Sequence, residues 1–258
     1  MSQEPAEGES LDHLVNGWRI FQLVRGHRFS TDDLVVTWRA TKAMPNATRL
    51  LDIGCGIGSV GLSTLSHLGP GASMVGVEAQ ALSVGLARRT VAYNELSDRV
   101  RIVNADLRDP TALPEGSQFD LITGSPPYIP EGKGVLSPVP QRAAARIELR
   151  GSIIDYSLAA RRWLAPGGRF CFVMASADPR TEEGPRNAGL VVLERWEYVF
   201  REGREPHIAT LGCAREEDVE GPVERKTGSL VVRDAQGEWT DAYHAYREEV
   251  GSSAYKGT

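Results

Sequence analysis

The sequence predicts an α/β fold: a doubly wound, mostly parallel sheet of seven strands with a small N-terminal extension. Three observations carry that expectation. From residue 49 onward short apolar strands alternate with helical stretches, the pattern of βαβ units. A glycine-bearing turn, "LLDIGCGIGS", follows the first of these strands. Two late apolar runs, "GLVVLERWEYVF" and "HIATLGCAR", lie close together with no helix between them, so they read as an antiparallel pair ending the sheet.

Ahead of the sheet, "GWRIFQLVRGHRFSTDDLVVTWRATKA" reads as a short strand or hairpin, a turn, and a helix capped by Thr31 or Asp32. "RLLDIG" is then a strand and "GSVGLSTLSHLG" a helix closed by Gly69. "SMVGVE" is a strand, and "QALSVGLARRTVAYNEL" a helix with an apolar stripe. "RVRIVNAD" and "FDLITG" are strands. "IELRGSIIDYSLAARRWLAPGG" is a helix stopped by Pro166 and the glycines, and "RFCFVMAS" a strand. Residues 130–147, rich in Pro and Gly and then Ala and Arg, form a long excursion of the kind that is usually functional or disordered.

The chain has 258 residues, 41% hydrophobic and 24% charged, which suits a globular protein with one sizeable core. Cys55, Cys171 and Cys213 are far apart and form no C-x-x-C pair. That argues against a disulfide framework or zinc site and suits a reducing cytoplasm, the expected location. His13, His27, His67, His207 and His244 are scattered without metal-ligand spacing, so no metal is expected. The start, "MSQEPAEGES", lacks the basic and apolar regions of a signal peptide, and no apolar run approaches a membrane span. A net charge of −5 excludes a global positive field, so any nucleic-acid contact must come from local patches. Two segments qualify. Residues 17–42 hold five Lys or Arg against two Asp, and residues 131–162 hold six against three acids.

"LLDIGCGIGS" places Asp52, Gly54, Gly56 and Gly58 at a strand–helix junction, where glycines let the backbone turn sharply and approach a ligand. Glu78 ends the next strand, 24 residues after Gly54, where a carboxylate accepts hydrogen bonds from ribose hydroxyls. Gly56, Gly58 and Gly61 also spell G-x-G-x-x-G, a nicotinamide-type pattern. Two features favour another ligand: the acid that precedes the first glycine, and "SPPY" after a later strand.

"LDIGCGIGS", Glu78, "NAD" ending at Asp106, and "SPPY" fall in the order of the class I S-adenosylmethionine-dependent methyltransferases, which the chain resembles over roughly residues 20–215. The resemblance implies a Rossmann-like methyltransferase domain with S-adenosylmethionine as cofactor. It implies that the Gly54–Gly58 loop cradles the methionine and ribose part, that Glu78 holds the ribose hydroxyls, and that Asp106 contacts the adenine amine.

"SPPY" is a platform in chemical terms. An exocyclic amine is a poor nucleophile, because its lone pair is delocalised. Ser125 Oγ and the Pro126 carbonyl are acceptors for its N–H groups, and the rings of Pro126 and Pro127 fix φ and remove backbone donors. The Tyr128 ring offers a stacking face for a planar group. Placing amine and methyl together supplies most of the rate. The motif resembles the Asn/Asp/Ser-Pro-Pro-Tyr signature of amino-methyltransferases. Asn or Asp comes first in most adenine- and glutamine-directed members, and Ser is found in DNA cytosine amino-methyltransferases.

"GHRFSTDDLVV" matches the R-F-S-x-D that resembles bacterial tRNA adenine-N6 methyltransferases, whose target lies beside the anticodon of valine tRNA. "GKGVLSPVPQRAAARIE", "LAPGGRFCFVM" and "GSLVVRDAQGEWTDAY" resemble later parts of that family. The resemblance implies that Phe29, Ser30 and Asp32 lie on the cofactor side. On this reading residues 1–16 are a disordered tail, 17–48 a cofactor-covering segment, 49–250 the methyltransferase domain and 251–258 a second tail. Arg142, Arg146 and Arg150 recur at i, i+4, i+8, one basic stripe if helical, suited to an RNA backbone. The expected reaction is methylation of adenine N6, with tRNA as partner. The alternatives are a release-factor glutamine, a DNA amine, or a catalytically silent cofactor- or nucleic-acid-binding module.

Overall fold

The chain opens with an antiparallel hairpin, β1 (Glu9–His13) and β2 (Arg19–Leu23), followed by helix α1 (Thr31–Ala43). Then come β3 (Arg49–Ile53), α2 (Ser59–Leu65), β4 (Ser73–Glu78), α3 (Ala81–Tyr93), β5 (Val100–Asn104) and β6 (Phe119–Gly124). The long excursion carries a short α4 (Pro140–Arg146) and leads into α5 (Ile153–Trp163), β7 (Leu164–Ala175) and α6 (Arg180–Asn187). β8 (Leu190–Val199), β9 (Ile208–Arg215), β10 (Lys226–Val231) and α7 (Asp241–Glu249) complete it. The structure is a computed structural model that describes residues 4–133 and 137–252. Residues 134–136 of the expected loop, and all but Gly251 and Ser252 of the expected C-terminal tail, lie outside the described residues.

The strands form one sheet in the order β10-β8-β9-β7-β6-β3-β4-β5. β9 runs against both its neighbours, and every other pairing is parallel. The doubly wound, mostly parallel fold is therefore as expected, including the antiparallel β8–β9 pair. The strand count is not: there are eight strands, because β10 adds itself outside β8, from Lys226↔Glu194 to Val231↔Val199. Its apolar run is short, and Leu230 is buried while Lys226 and Thr227 are exposed, which is why it does not read as a strand in isolation.

Both faces of the sheet are covered, so its strands bury alternate residues in two cores. Leu50, Leu121, Cys171 and Val173 join the core under α1, α2 and α3, while Leu51, Ile53, Ile122, Phe170 and Phe172 join the one under α5. Three local expectations are corrected. Residues 9–16 are not a tail: β1 pairs with β2, Leu14 and Val15 are buried, and the hairpin is tied to α3. There Thr90 Oγ1 accepts the Phe21 N–H (3.0 Å) and Arg89 pairs with Glu9 (2.6 Å). The acid that reads as tail composition is a half-buried ion-pair partner. Second, Ser30, rather than Thr31 or Asp32, caps α1, and the Asp33 carboxylate accepts the Ser30 N–H (3.0 Å). Third, the helix expected from Ile147 begins at Ile153, since Gly151 takes φ +129° and Ser152 is the cap, with Asp155 accepting its N–H (2.8 Å).

Candidate active site

The carboxyl ends of β3, β4 and β6 open into a cavity of about 820 Å³, at the switch point where open α/β sheets bind ligands. One wall is backbone. Gly54, Gly56 and Gly58 have φ of +62°, +55° and +90°, which favours glycine at each; Gly54 and Gly56 line the cavity, whereas Gly58 caps α2 behind it, against Leu62 and Ala87. A Cβ on Gly54 would run into the Tyr156 hydroxyl beneath it, whereas one on Gly56 would meet nothing within 4 Å. Gly61, the last glycine of the apparent nicotinamide pattern, sits inside α2 where a side chain would overlap Asp52 and Met74. It serves helix–strand packing.

Two carboxylates secure this wall. Asp52 is buried; it accepts the Gly61 N–H (2.9 Å) and the Thr123 hydroxyl (2.8 Å), which ties β3 to α2 and to β6. Burial pushes its carboxyl up to about 7. Glu78 accepts the N–H of Gly56 (3.0 Å) and of Gln80 (2.7 Å), one on each oxygen. Each oxygen keeps a further lone pair, and burial raises its pKa. A left-handed glycine turn with open space beside it, next to a buried carboxylate with spare acceptors, fits a cofactor that bears adjacent hydroxyls. The Asp106 carboxylate is held by Arg108 (2.9 and 2.6 Å), which also lowers its pKa, and its neighbours Ala105 and Leu107, rather than Asp106, line the cavity.

The covering segment closes a second wall. Phe29, Ser30, Asp32 and Asp33 all line the cavity. Tyr128 donates its hydroxyl to Asp32 (2.9 Å), joining the covering segment to the turn after β6. Burial and the Asp32 charge push the Tyr128 phenol well above its ordinary value, and the Ser125 hydroxyl acts in the opposite sense. Ser125, Pro126, Pro127 and Tyr128 all line the cavity. The turn is fixed from behind, where Ile129 donates its N–H to the Arg146 carbonyl (3.1 Å) and accepts that of Glu148 (2.9 Å).

Arg142, Arg146 and Arg150 all reach the cavity rim, but not as one helical stripe. α4 ends at Arg146, Ile147 is extended, and Arg150 lies in the following turn. The Pro at N1 and the Ile129–Ile147 bridge limit the helix to two turns.

Sequence reasoning missed several lining residues. His27 faces Arg142 and Arg146, and burial together with their charge lowers it to about 4. Gln141, buried, accepts the His27 N–H (2.8 Å) and donates to Ser83 (3.3 Å), so it latches the covering segment to α4 and α3. Phe200, His207, Arg233, Trp239 and Tyr243 also line the cavity, with the Tyr243 hydroxyl 3.4 Å from Thr31 Oγ1. His27, Gln141, Arg233, Trp239 and Tyr243 lie inside stretches quoted for the family resemblance without having been singled out there, and Phe200 and His207 are marked only by their places at strand ends. Among the described residues no group of three His, Cys, Asp or Glu converges as a metal would require, and no helix is long and apolar enough to cross a membrane.

Residues 33–182 match the family model described as methyltransferase small domain. A release factor glutamine methyltransferase of Chlorobaculum tepidum is 30% identical over 165 residues, covering 59% of this chain and 55% of that protein. The chain spans about half the length of the release-factor relatives it matches. A tRNA1(Val) (adenine(37)-N6)-methyltransferase of Haemophilus influenzae is 23% identical over 217 residues, covering 84% of this chain and 88% of that one. The solved structure of a predicted O-methyltransferase from Agrobacterium tumefaciens has the same fold, with a TM-score of 0.60 at 16% identity, over 87% of this chain and 98% of that chain. With the glycine turn and Glu78 in place, and with more than half of its length matched, the chain belongs to the methyltransferase small domain family and its cofactor is S-adenosylmethionine.

Proposed function

We propose that the protein transfers a methyl group to the exocyclic N6 amine of adenine in tRNA. The observation that carries this reading is the charge of the cavity. Seven arginines and no lysine line it against four carboxylates, in a chain whose net charge is −5. Three of those carboxylates, Asp33, Asp52 and Glu78, are buried, while Arg142, Arg146 and Arg150 are exposed. Anionic groups are thus drawn to the mouth and not to the floor. RNA phosphates match that arrangement, and a neutral glutamine side chain does not call for it. The breadth of the match to the tRNA-modifying relative, 84% of this chain and 88% of that one, supports the same choice.

Bound S-adenosylmethionine supplies an electrophilic sulfonium methyl. The chain's own residues bring the amine to it. The Pro126 carbonyl accepts one N–H of the amine. Ser125, whose hydroxyl is turned toward the Tyr128 oxygen, keeps its lone pairs for the other. Asp32 pins the Tyr128 hydroxyl and so sets the plane of the ring against which the base stacks. The Pro126 carbonyl and the Ser125 hydroxyl would aim the nitrogen lone pair at the methyl that the cofactor would supply, and the proton the amine gives up would pass to solvent. Labelled methyl transfer to total tRNA, total DNA and a release factor, run in parallel, tests the substrate class. Label in tRNA is expected; label in the release factor or DNA with none in tRNA overturns the reading.

A further inference from the structure

Three strands end on one cavity wall. Phe200 follows the last residue of β8, His207 precedes the first of β9, and Arg233 lies two residues past β10. Their backbones are locked together: His207 donates its N–H to the Tyr198 carbonyl (2.9 Å), Val232 to Val199 (2.8 Å) and Glu202 to Arg233 (2.8 Å). Phe200 is 37% exposed, and it is one of two exposed large apolar side chains that line the cavity, the other being Val24 on the opposite rim. The His207 ring lies 5.0 Å from it at 44°. Beside them Arg233 and Trp239 face each other across an antiparallel bridge, with the Arg233 guanidinium 5.6 Å from the indole centre. Arg247, at 4.1 Å, and the rings of Tyr243 and His244 also pack on that indole. This wall lies outside the stretch shared with the family, residues 33–182.

A solvent-facing aromatic ring on a locked strand end, with an exposed guanidinium at the end of the adjoining strand, both lining the same cationic cavity, offers what an unstacked nucleotide requires: a face for its base and a charge for its phosphate. We propose that Phe200, His207 and Arg233 form a second subsite, which takes the nucleotide adjoining the methylated base. The neighbouring base stacks on Phe200, and its phosphate meets Arg233. This rests on the RNA reading of the catalytic cavity. It extends that reading by assigning sequence context to a wall outside the glycine turn and "SPPY".

Fluorescence anisotropy tests it, with a fluorescein-labelled RNA hairpin bearing an adenine-rich loop as probe. Phe200→Leu keeps bulk but removes the stacking face, so its Kd for the hairpin should rise about tenfold. Phe200→Tyr should restore binding, and Arg233→Gln should flatten the log–log salt dependence by about 0.7, one phosphate contact on a single strand. Phe200 is exposed, so both variants should melt with the wild type, and S-adenosylmethionine affinity should be unchanged. If the wild type binds the hairpin and the variants bind it equally well, the subsite is wrong while the RNA reading stands. If the wild type fails to bind RNA and labels a release factor instead, the reading itself is wrong and the subsite falls with it.

Discussion

The cofactor wall and the substrate rim of the same cavity are built in opposite ways. The cofactor wall is backbone: three left-handed glycines, N–H groups donated to Asp52 and Glu78, and a tyrosine packed so close under Gly54 that no side chain fits. The substrate rim is side chain: exposed arginines on a short helix and a turn, and rings at the ends of the outer strands. A backbone site is specified by residue types that few other contexts demand, so it survives as a motif. A rim of arginines and aromatics can be assembled from many positions, so each chain writes its own. The family match, residues 33–182, takes in the glycine wall and the arginines at 142–150 and ends before the rings of Phe200 and His207.

The largest effect should come from breaking the backbone wall. Gly54→Ala forces a left-handed φ on alanine and drives its methyl into the Tyr156 hydroxyl. We expect a loss of about 3 kcal/mol in stability. Calorimetry should register no S-adenosylmethionine binding, and the melting temperature should fall. A Gly54→Ala protein that binds the cofactor normally would remove the distinction between the two walls.

Side chains at the junction should act separately and less severely. Glu78→Ala should weaken cofactor binding by about 1–3 kcal/mol, the scale of hydrogen bonds to a charged group. Tyr128→Ala should cost about 1–3 kcal/mol of substrate binding while cofactor affinity survives. Titrating each ligand into each variant tests this crossed pattern, and a variant that loses both ligands alike would blur the comparison.

At the rim, replacing Arg142, Arg146 and Arg150 together with Ala should lower the log–log salt slope of tRNA binding by about 2, at about 0.7 per phosphate contact. S-adenosylmethionine affinity should not move. An unaltered slope would show the arginines to be a solvated face.

The smallest effect concerns pH. Burial pushes Asp33 up to about 7, well above its unfolded value near 3.8. The folded state therefore holds a proton that the unfolded state has released, so this group lowers stability as pH rises from about 4 to about 7 and has no further effect above that. His27, lowered to about 4 from 6.5, works the other way, and its contribution is lost as pH falls through that window. Asp33→Asn should flatten the downward trend between those limits relative to wild type, read as melting temperature against pH. A variant whose profile parallels the wild type would place the titration elsewhere.

What the sequence discloses follows the same division. "LLDIGCGIGS" and "SPPY" are legible because a left-handed turn and a rigid acceptor platform each demand particular residues. Alternation of apolar strands made the parallel sheet legible too. β1 was not, because its acidic composition hides Glu9, whose charge is met by Arg89 eighty residues away. β10 was not, because only part of it is apolar. Whether the arginine stripe is helical is not legible from spacing, which does not show that Ile147 leaves the helix to pair with Ile129. The Arg108 partner of Asp106, two residues on, is likewise not marked by the motif order that assigns Asp106 to the adenine. Gln141, His27 and Phe200 gain their roles only from contacts across the fold.

The identity of the methylated atom tests the account most directly. tRNA incubated with the protein and labelled S-adenosylmethionine is digested to nucleosides and resolved by mass spectrometry, for the wild type and for Ser125→Asn, which restores the commoner first residue of the signature. The account predicts N6-methyladenosine from both proteins. Label in any other nucleoside, or a change of nucleoside on Ser125→Asn, would contradict it.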